Sequence, residues 1–139
     1  MKLEFLPEKR FMERALELAL EAGEAGEVPV GAVIVSGGQV IGEGRNRRES
    51  LGNALAPAEI EAIARACERL GTWRLSGCQL YVTLEPCQMC AGAAYNARVE
   101  RVVFGAESPE AGTLKIPAYP GFMEDEARQI LRDFFARQR

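Results

Sequence analysis

The chain contains no histidine, and that absence excludes more chemistry than any residue present. There is no Ser–His or Cys–His catalytic pair, no imidazole base and no imidazole metal ligand, and an identical partner chain could supply none. Long apolar runs are missing too, so no membrane-spanning helix is expected. The opening residues Met1 to Phe5 lack the apolar stretch of a secretory leader. A soluble, cytoplasmic protein with no membrane partner is the expectation. There is no basic excess either. Seventeen basic against twenty acidic side chains leave a net charge of −3, which argues against bulk electrostatic binding of nucleic acid but leaves local basic patches open. Cysteine is sparse, with Cys67, Cys78, Cys87 and Cys90 alone. In a cytoplasmic chain these do not suggest a disulfide framework; metal binding, redox chemistry and plain burial remain.

What is there suffices for one domain over residues 1–139, with 47% apolar content to build a core. Residues 8–25 carry Met12, Ala15, Leu16, Ala19 and Ala22 at helical steps. Val30 to Val35 is β-branched and continuous, as in a buried strand. Ser36-Gly37-Gly38 suits a tight hairpin, with Gln39 to Gly44 returning antiparallel. After a polar loop, Arg45 to Ala56, a second helix is expected over 58–70, with Ile60, Ile63, Cys67 and Leu70 on one face and Pro57 at its first position. Leu80 to Leu84, a helix over 87–96, Arg101 to Gly105 and a last amphipathic helix over 122–136 complete the order. Strands separated by helices imply crossovers. The expected fold is a three-layer α/β/α domain with a mixed, mostly parallel sheet and an antiparallel hairpin at its start.

Pro86-Cys87-Gln88-Met89-Cys90 follows a strand and opens a helix. Cysteines three apart at a helix start face one side, and the helix dipole favours their thiolate forms. Such a pair can fill two positions of a tetrahedral zinc; it can equally be a redox dithiol or two small buried residues. Glu59, in the first turn of the second helix, reads on its own as a dipole partner. Crossover topology sets both helix starts at the same sheet edge, where α/β folds build their sites. Glu59, Cys87 and Cys90 are therefore candidates for one pocket.

These residues, with Glu27-Val28-Pro29-Val30-Gly31-Ala32-Val33, Ile41-Gly42-Glu43-Gly44, Asn46, Thr72-Trp73-Arg74-Leu75, the stretch Leu80 to Ala93, Arg101 to Ala106 and Asp133-Phe134-Phe135, carry a resemblance. The chain resembles the cytidine/deoxycytidylate deaminase superfamily and, within it, the bacterial tRNA-specific adenosine deaminases, over residues 10–112 and the last helix. That class has an H-x-E…P-C-x-x-C signature in which zinc activates a water and a glutamate carries protons. The resemblance implies a cytidine deaminase-like fold, a Zn2+ cofactor and hydrolysis of adenosine to inosine at the wobble position. It implies Glu59 as proton shuttle and Cys87 and Cys90 as metal ligands. Asn46, Val28, Val30, Ala58, Leu84 and Ser108 would hold the substrate. Implied partners are a tRNA anticodon arm or other single-stranded nucleic acid and a second copy of the chain, through the apolar residues of 89–95. Arg45, Arg47, Arg48, Arg128, Arg132, Arg137 and Arg139 are candidate phosphate contacts.

The chain also departs from the pattern. The signature histidine aligns with Pro57, which has no ligand atom. Cys67, about 15 Å along the helix, and Cys78, about 20 Å down a strand, cannot replace it. A poorly occupied zinc site and weak or absent turnover are expected. The loop that usually follows Gly112 is reduced to Thr113 to Pro120, and Ser108 replaces an aspartate near the substrate sugar, so discrimination of RNA from DNA is expected to weaken. The alternatives are a catalytically inactive deaminase-fold subunit or nucleic-acid-binding module and, behind it, a deaminase of a free base such as guanine or cytosine.

Overall fold

The computed structural model describes residues 4–138 and arranges them as five helices about a five-stranded sheet. Arg139, among the candidate phosphate contacts, lies outside the described residues. In chain order the elements are α1 (Lys9–Glu24), β1 (Gly31–Ser36), β2 (Gln39–Arg45), α2 (Arg48–Leu51) and α3 (Ala58–Leu70). They continue with β3 (Gln79–Leu84), α4 (Gln88–Asn96), β4 (Arg101–Ala106), β5 (Ala118–Tyr119) and α5 (Glu124–Arg137). Every element expected from the sequence is present, with ends moved by a residue or two. The single turn α2 and the two-residue β5 were not expected, since each depends on partners distant in the chain.

The sheet runs β2-β1-β3-β4-β5. The β1–β2 hairpin is antiparallel, and β4 lies parallel to both β3 and β5. One pairing departs from the mostly parallel expectation: β3 lies beside β1, antiparallel to it. The hairpin puts β1 between β2 and β3, so these two point the same way without touching. Their C-terminal ends, and the helices that follow them, share one sheet edge.

Helices α1 and α5 cover one face and α3 and α4 the other, so the layers are α/β/α. Alternation along the strands serves both cores. In β1, Ala32 and Ile34 join the α3 side while Val33 and Val35 join the α1 side; in β3, Leu80 and Val82 oppose Tyr81 in the same way.

The approach of α3 to the sheet corrects the expected helix face. Its fully buried apolar residues are Ala58, Ala62 and Ala66, whereas Ile60, Ile63 and Cys67 are half-buried and Leu70 is exposed. The reason lies on β2. A Cβ added at Gly44 would strike the Ala58 carbonyl and stand 2.7 Å from the Ala62 nitrogen, and one at Gly42 would stand 2.8 Å from the Ala66 nitrogen. With glycine on the strand and alanine on the helix, the two backbones meet almost directly. Pro57 is also shifted by one place. It caps the helix with extended backbone (φ −76°, ψ 163°), and Ala58 is the first helical residue.

Gly44→Ala should destabilise the protein by about 1–3 kcal/mol, the usual cost of overpacking, because the atoms in the way are backbone. Chemical denaturation checks this; an unchanged midpoint would mean that α3 is free to back away.

Candidate active site

The shared sheet edge holds a cavity of about 380 Å³, large enough for a purine-sized ligand. The ends of β2 and β3 and the starts of α3 and α4 bring the expected residues to it. Val28, Val30, Asn46 and Leu84 line it, as do Ala58 and Ser108. Pro57, Glu59, Cys87 and Cys90 complete that set. Sequence reasoning did not assign Glu27, Glu85, Glu110 or Phe135 to this cavity, although all four line it. A carboxylate at a strand end, as at Glu85 beside Pro86-Cys87, was the one local signal.

Glu59 is buried, with 4% of its surface exposed. Desolvation pushes its carboxyl pKa up, and this outweighs the help that the charged form receives from its own amide, the Cys90 thiol and the Arg48 charge. Cys90 is pushed up as well, first by burial and then by the neighbouring Glu59 carboxylate and Cys87 sulfur. The thiolate expected at this helix start is therefore overridden at Cys90, because burial and a nearby acidic group outweigh the dipole of α4.

A second carboxylate shapes the wall. Glu27 is 1% exposed and accepts hydrogen bonds from the Glu49 amide (3.0 Å), the Ser50 amide (2.6 Å) and the Ser50 hydroxyl. Burial raises its pKa, but these three bonds and the Arg45 charge prevail, and the net shift is downward. Glu61 helps to hold the same loop: it accepts from the Arg45 amide at 3.2 Å and pairs with Arg47 at 2.7 Å. Asn46 is thereby fixed, donating to the Val28 carbonyl (3.2 Å) and accepting from the Arg48 amide (3.1 Å). Across the cavity the Ser108 amide donates to Glu85 (3.0 Å), and the Ser108 hydroxyl accepts from the Glu110 amide (3.2 Å).

The candidate phosphate contacts separate into two groups. Arg45 donates to the Glu21 carbonyl at 2.9 Å, Arg47 pairs with Glu61, and Arg128 pairs with Glu124. Among the described residues, Arg48, Arg132 and Arg137 make no ion pair. Arg48 lines the cavity, and Arg132 lines a shallow groove that also meets Phe135.

The donor set does not fit a zinc ion. Two thiols are present, Pro57 brings no donor atom to the third position, and Cys67 and Cys78 lie in and against the α3-side core rather than in the cavity. Among the described residues no three Cys, Asp or Glu side chains converge to hold a metal. Also among the described residues, no helix is long and apolar enough to cross a membrane.

Comparison with known proteins gives consistent relatives. The profile of the MafB19-like deaminase family matches residues 7–139. A tRNA-specific adenosine deaminase of Agrobacterium fabrum (strain C58) is 45% identical over 93% of this chain and 94% of its own length. A solved structure from work on A-to-I editing by tRNA:A34 deaminases at the wobble position superimposes with a TM-score of 0.85 and 43% identity, over 89% of this chain and all of that one. A guanine deaminase from Nitrosomonas europaea superimposes with a TM-score of 0.86 at 26% identity, over 96% of this chain and 87% of that one.

Two measurements probe the site. Glu27 has a folded-state pKa below its ordinary 4.5, so its contribution is complete above that value and is lost as pH falls through the folded pKa. Glu27→Gln should cost about 2 kcal/mol at pH 7, the worth of hydrogen bonds to a charged group, and the gap from the parent should narrow as pH falls below 4.5. A gap independent of pH would contradict this. Elemental analysis of the purified protein should find well below one zinc per chain; near-stoichiometric zinc would show that a donor has been missed.

Proposed function

The chain belongs to the MafB19-like deaminase family, and from that premise we propose that its cavity receives an adenosine of a tRNA anticodon arm. The reaction class is hydrolytic conversion of adenosine to inosine at the wobble position, in the cytoplasm. The observation that carries the reading is the cavity itself. The residues expected to hold the base, the protons and the metal all border it, and burial raises the pKa of the Glu59 carboxyl among them. The 45% identical relative named as a tRNA-specific adenosine deaminase supports adenosine in tRNA over a free base.

In this reading Val28, Val30 and Leu84 clasp the faces of the base, and the Ala58 backbone and Asn46 meet its polar edge. Glu59 keeps its proton to higher pH than an ordinary carboxyl, which suits delivery to a ring nitrogen. Ser108 and Arg48 face the sugar and the phosphate. Zinc and a homodimer belong to the same reading; the apolar residues of 89–95 on α4, among them half-buried Met89 and Ala93 and exposed Tyr95, are the surface assigned to the second copy. Pro57 carries no donor atom, which leaves the ion the thiols of Cys87 and Cys90. The loss of a ligand costs orders of magnitude in affinity. Turnover is accordingly weak or absent, and binding of the anticodon loop without chemistry is the second reading, favoured by Pro57 itself.

Inosine formation in an anticodon stem-loop carrying adenosine at the wobble position separates the two. Pro57→His should raise both zinc content and inosine yield, and Glu59→Ala added to it should remove the gain. A parent protein as active as Pro57→His would overturn the ligand argument. No activity in either protein, with the stem-loop still bound, would establish the binding module.

A further inference from the structure

Pro57 leaves Cys87 and Cys90 as two adjacent thiols without the further donor that a tetrahedral metal site needs beside them. Their placement on α4 makes them a pair. Cys87 is the N-cap, with extended backbone (φ −71°, ψ 175°), and Cys90 is the third residue of the helix. Side chains at these two positions of a helix start turn towards each other, as they do in a capping box. The Cys90 thiol accordingly meets the Cys87 sulfur. Cys87 makes no side-chain capping hydrogen bond, so its sulfur is not engaged in holding the helix end.

Access differs between the two sulfurs. Both border the cavity of about 380 Å³, yet Cys87 is half-buried and Cys90 has none of its surface exposed. A small molecule entering the cavity therefore reaches Cys87 first, with Cys90 behind it and within reach of the same sulfur. Plain burial accounts for Cys90 but not for Cys87. The backbone here is fixed: the Ala91 amide donates to the Cys87 carbonyl (2.9 Å), the Gly112 amide donates to the Pro86 carbonyl (3.0 Å), and Cys87 bridges to Ala111. Cys67 and Cys78 offer a contrast within the same chain. Cys78 is fully buried, Cys67 packs against the α3-side core, and neither borders the cavity.

We propose that Cys87 and Cys90 form a redox-active dithiol that exchanges with small disulfides entering the cavity and closes reversibly to a Cys87–Cys90 disulfide. The Cys87 thiolate attacks one sulfur of a small disulfide RSSR, which forms a mixed disulfide at Cys87 and releases the first RSH. Cys90 then attacks the Cys87 sulfur, expels the second RSH and closes the bridge. Two protein thiols are oxidised, one RSSR is reduced, and the two thiol protons leave on the two RSH molecules. In the closed form neither sulfur is available as a metal ligand. The proposal goes beyond the preceding reading and shares with it only the lack of a donor atom at Pro57.

Cystamine, a disulfide of two short amines, is a suitable probe. An excess should lower the thiol count of the denatured chain from four to two, and peptide mapping should find Cys87 linked to Cys90. Dithiothreitol should restore all four thiols. Cys90→Ala should stop at the mixed disulfide and retain one cysteamine on Cys87, whereas Cys87→Ala should retain none in the cavity. A pair that stays reduced under excess cystamine, cysteamine retained on Cys87 in the parent, or a bridge between Cys67 and Cys78 alone would overturn the dithiol. So would stoichiometric zinc that co-purifies and shields the pair, a result that also removes the ligand argument at Pro57. The function reading fails separately, through stem-loop binding and inosine yield of the reduced protein.

Discussion

The site depends on how closely one helix lies against one strand. Gly42 and Gly44 of β2 face the alanine stripe Ala58, Ala62 and Ala66 of α3, and no side chain longer than a methyl fits between the backbones. Such a contact buries little apolar area per residue. Its strength comes from dispersion at close range and from the absence of voids. It also fixes position. With α3 seated so close, Glu59 in its first turn meets Cys90 of α4. A larger residue on either partner would lift the helix and carry Glu59 away from Cys87 and Cys90. Polar groups complete the placement: Glu61 of the same helix ties down Arg45 and Arg47, and with them the loop that presents Asn46.

Two buried glutamates at this edge show how local bonding sets protonation. Both are removed from water, which alone would raise each pKa. Glu27 meets two amides and a hydroxyl and is held below the ordinary range, so it serves as a fixed anion that starts α2 and shapes the wall. Glu59 finds less compensation and is held above it. One cavity thereby has two buried carboxyls with opposite pKa shifts, and donor count decides which is which.

Much of this was legible in the sequence, and the misses share a cause. Periodicity located the long helices and the core strands, because burial on one or both faces leaves a repeat that a linear reading detects. Pro86 and the cysteine spacing placed α4, and crossover logic brought Glu59 and the thiols to one edge. The helix face of α3 was misread because Ile60, Ile63 and Leu70 outweigh alanine on any hydrophobic scale, while the controlling feature is the glycine pair on another element. Similarly α2 exists through Glu27, more than twenty residues earlier, and β5 through its pairing with β4. The β1–β3 pairing was missed because a hairpin strand can insert between two strands of a crossover, and local sequence carries no trace of it. The pairing of the arginines is likewise decided only in three dimensions.

Proline at position 57 fits the start of α3 for identifiable reasons. The N-cap of α3 receives no side-chain hydrogen bond, so the helix start does not rely on the residue there for a cap. Acidic residues in the first turn, Glu59 and Glu61, complement the dipole instead, and the alanine–glycine contact supplies the seating. Proline also suits the extended backbone found at that point. Three anions, two thiolates and a carboxylate, would repel one another in a buried site, but Cys90 and Glu59 are both pushed towards their neutral forms. The helix start thus accommodates proline while the cavity at its end keeps a purine-sized volume.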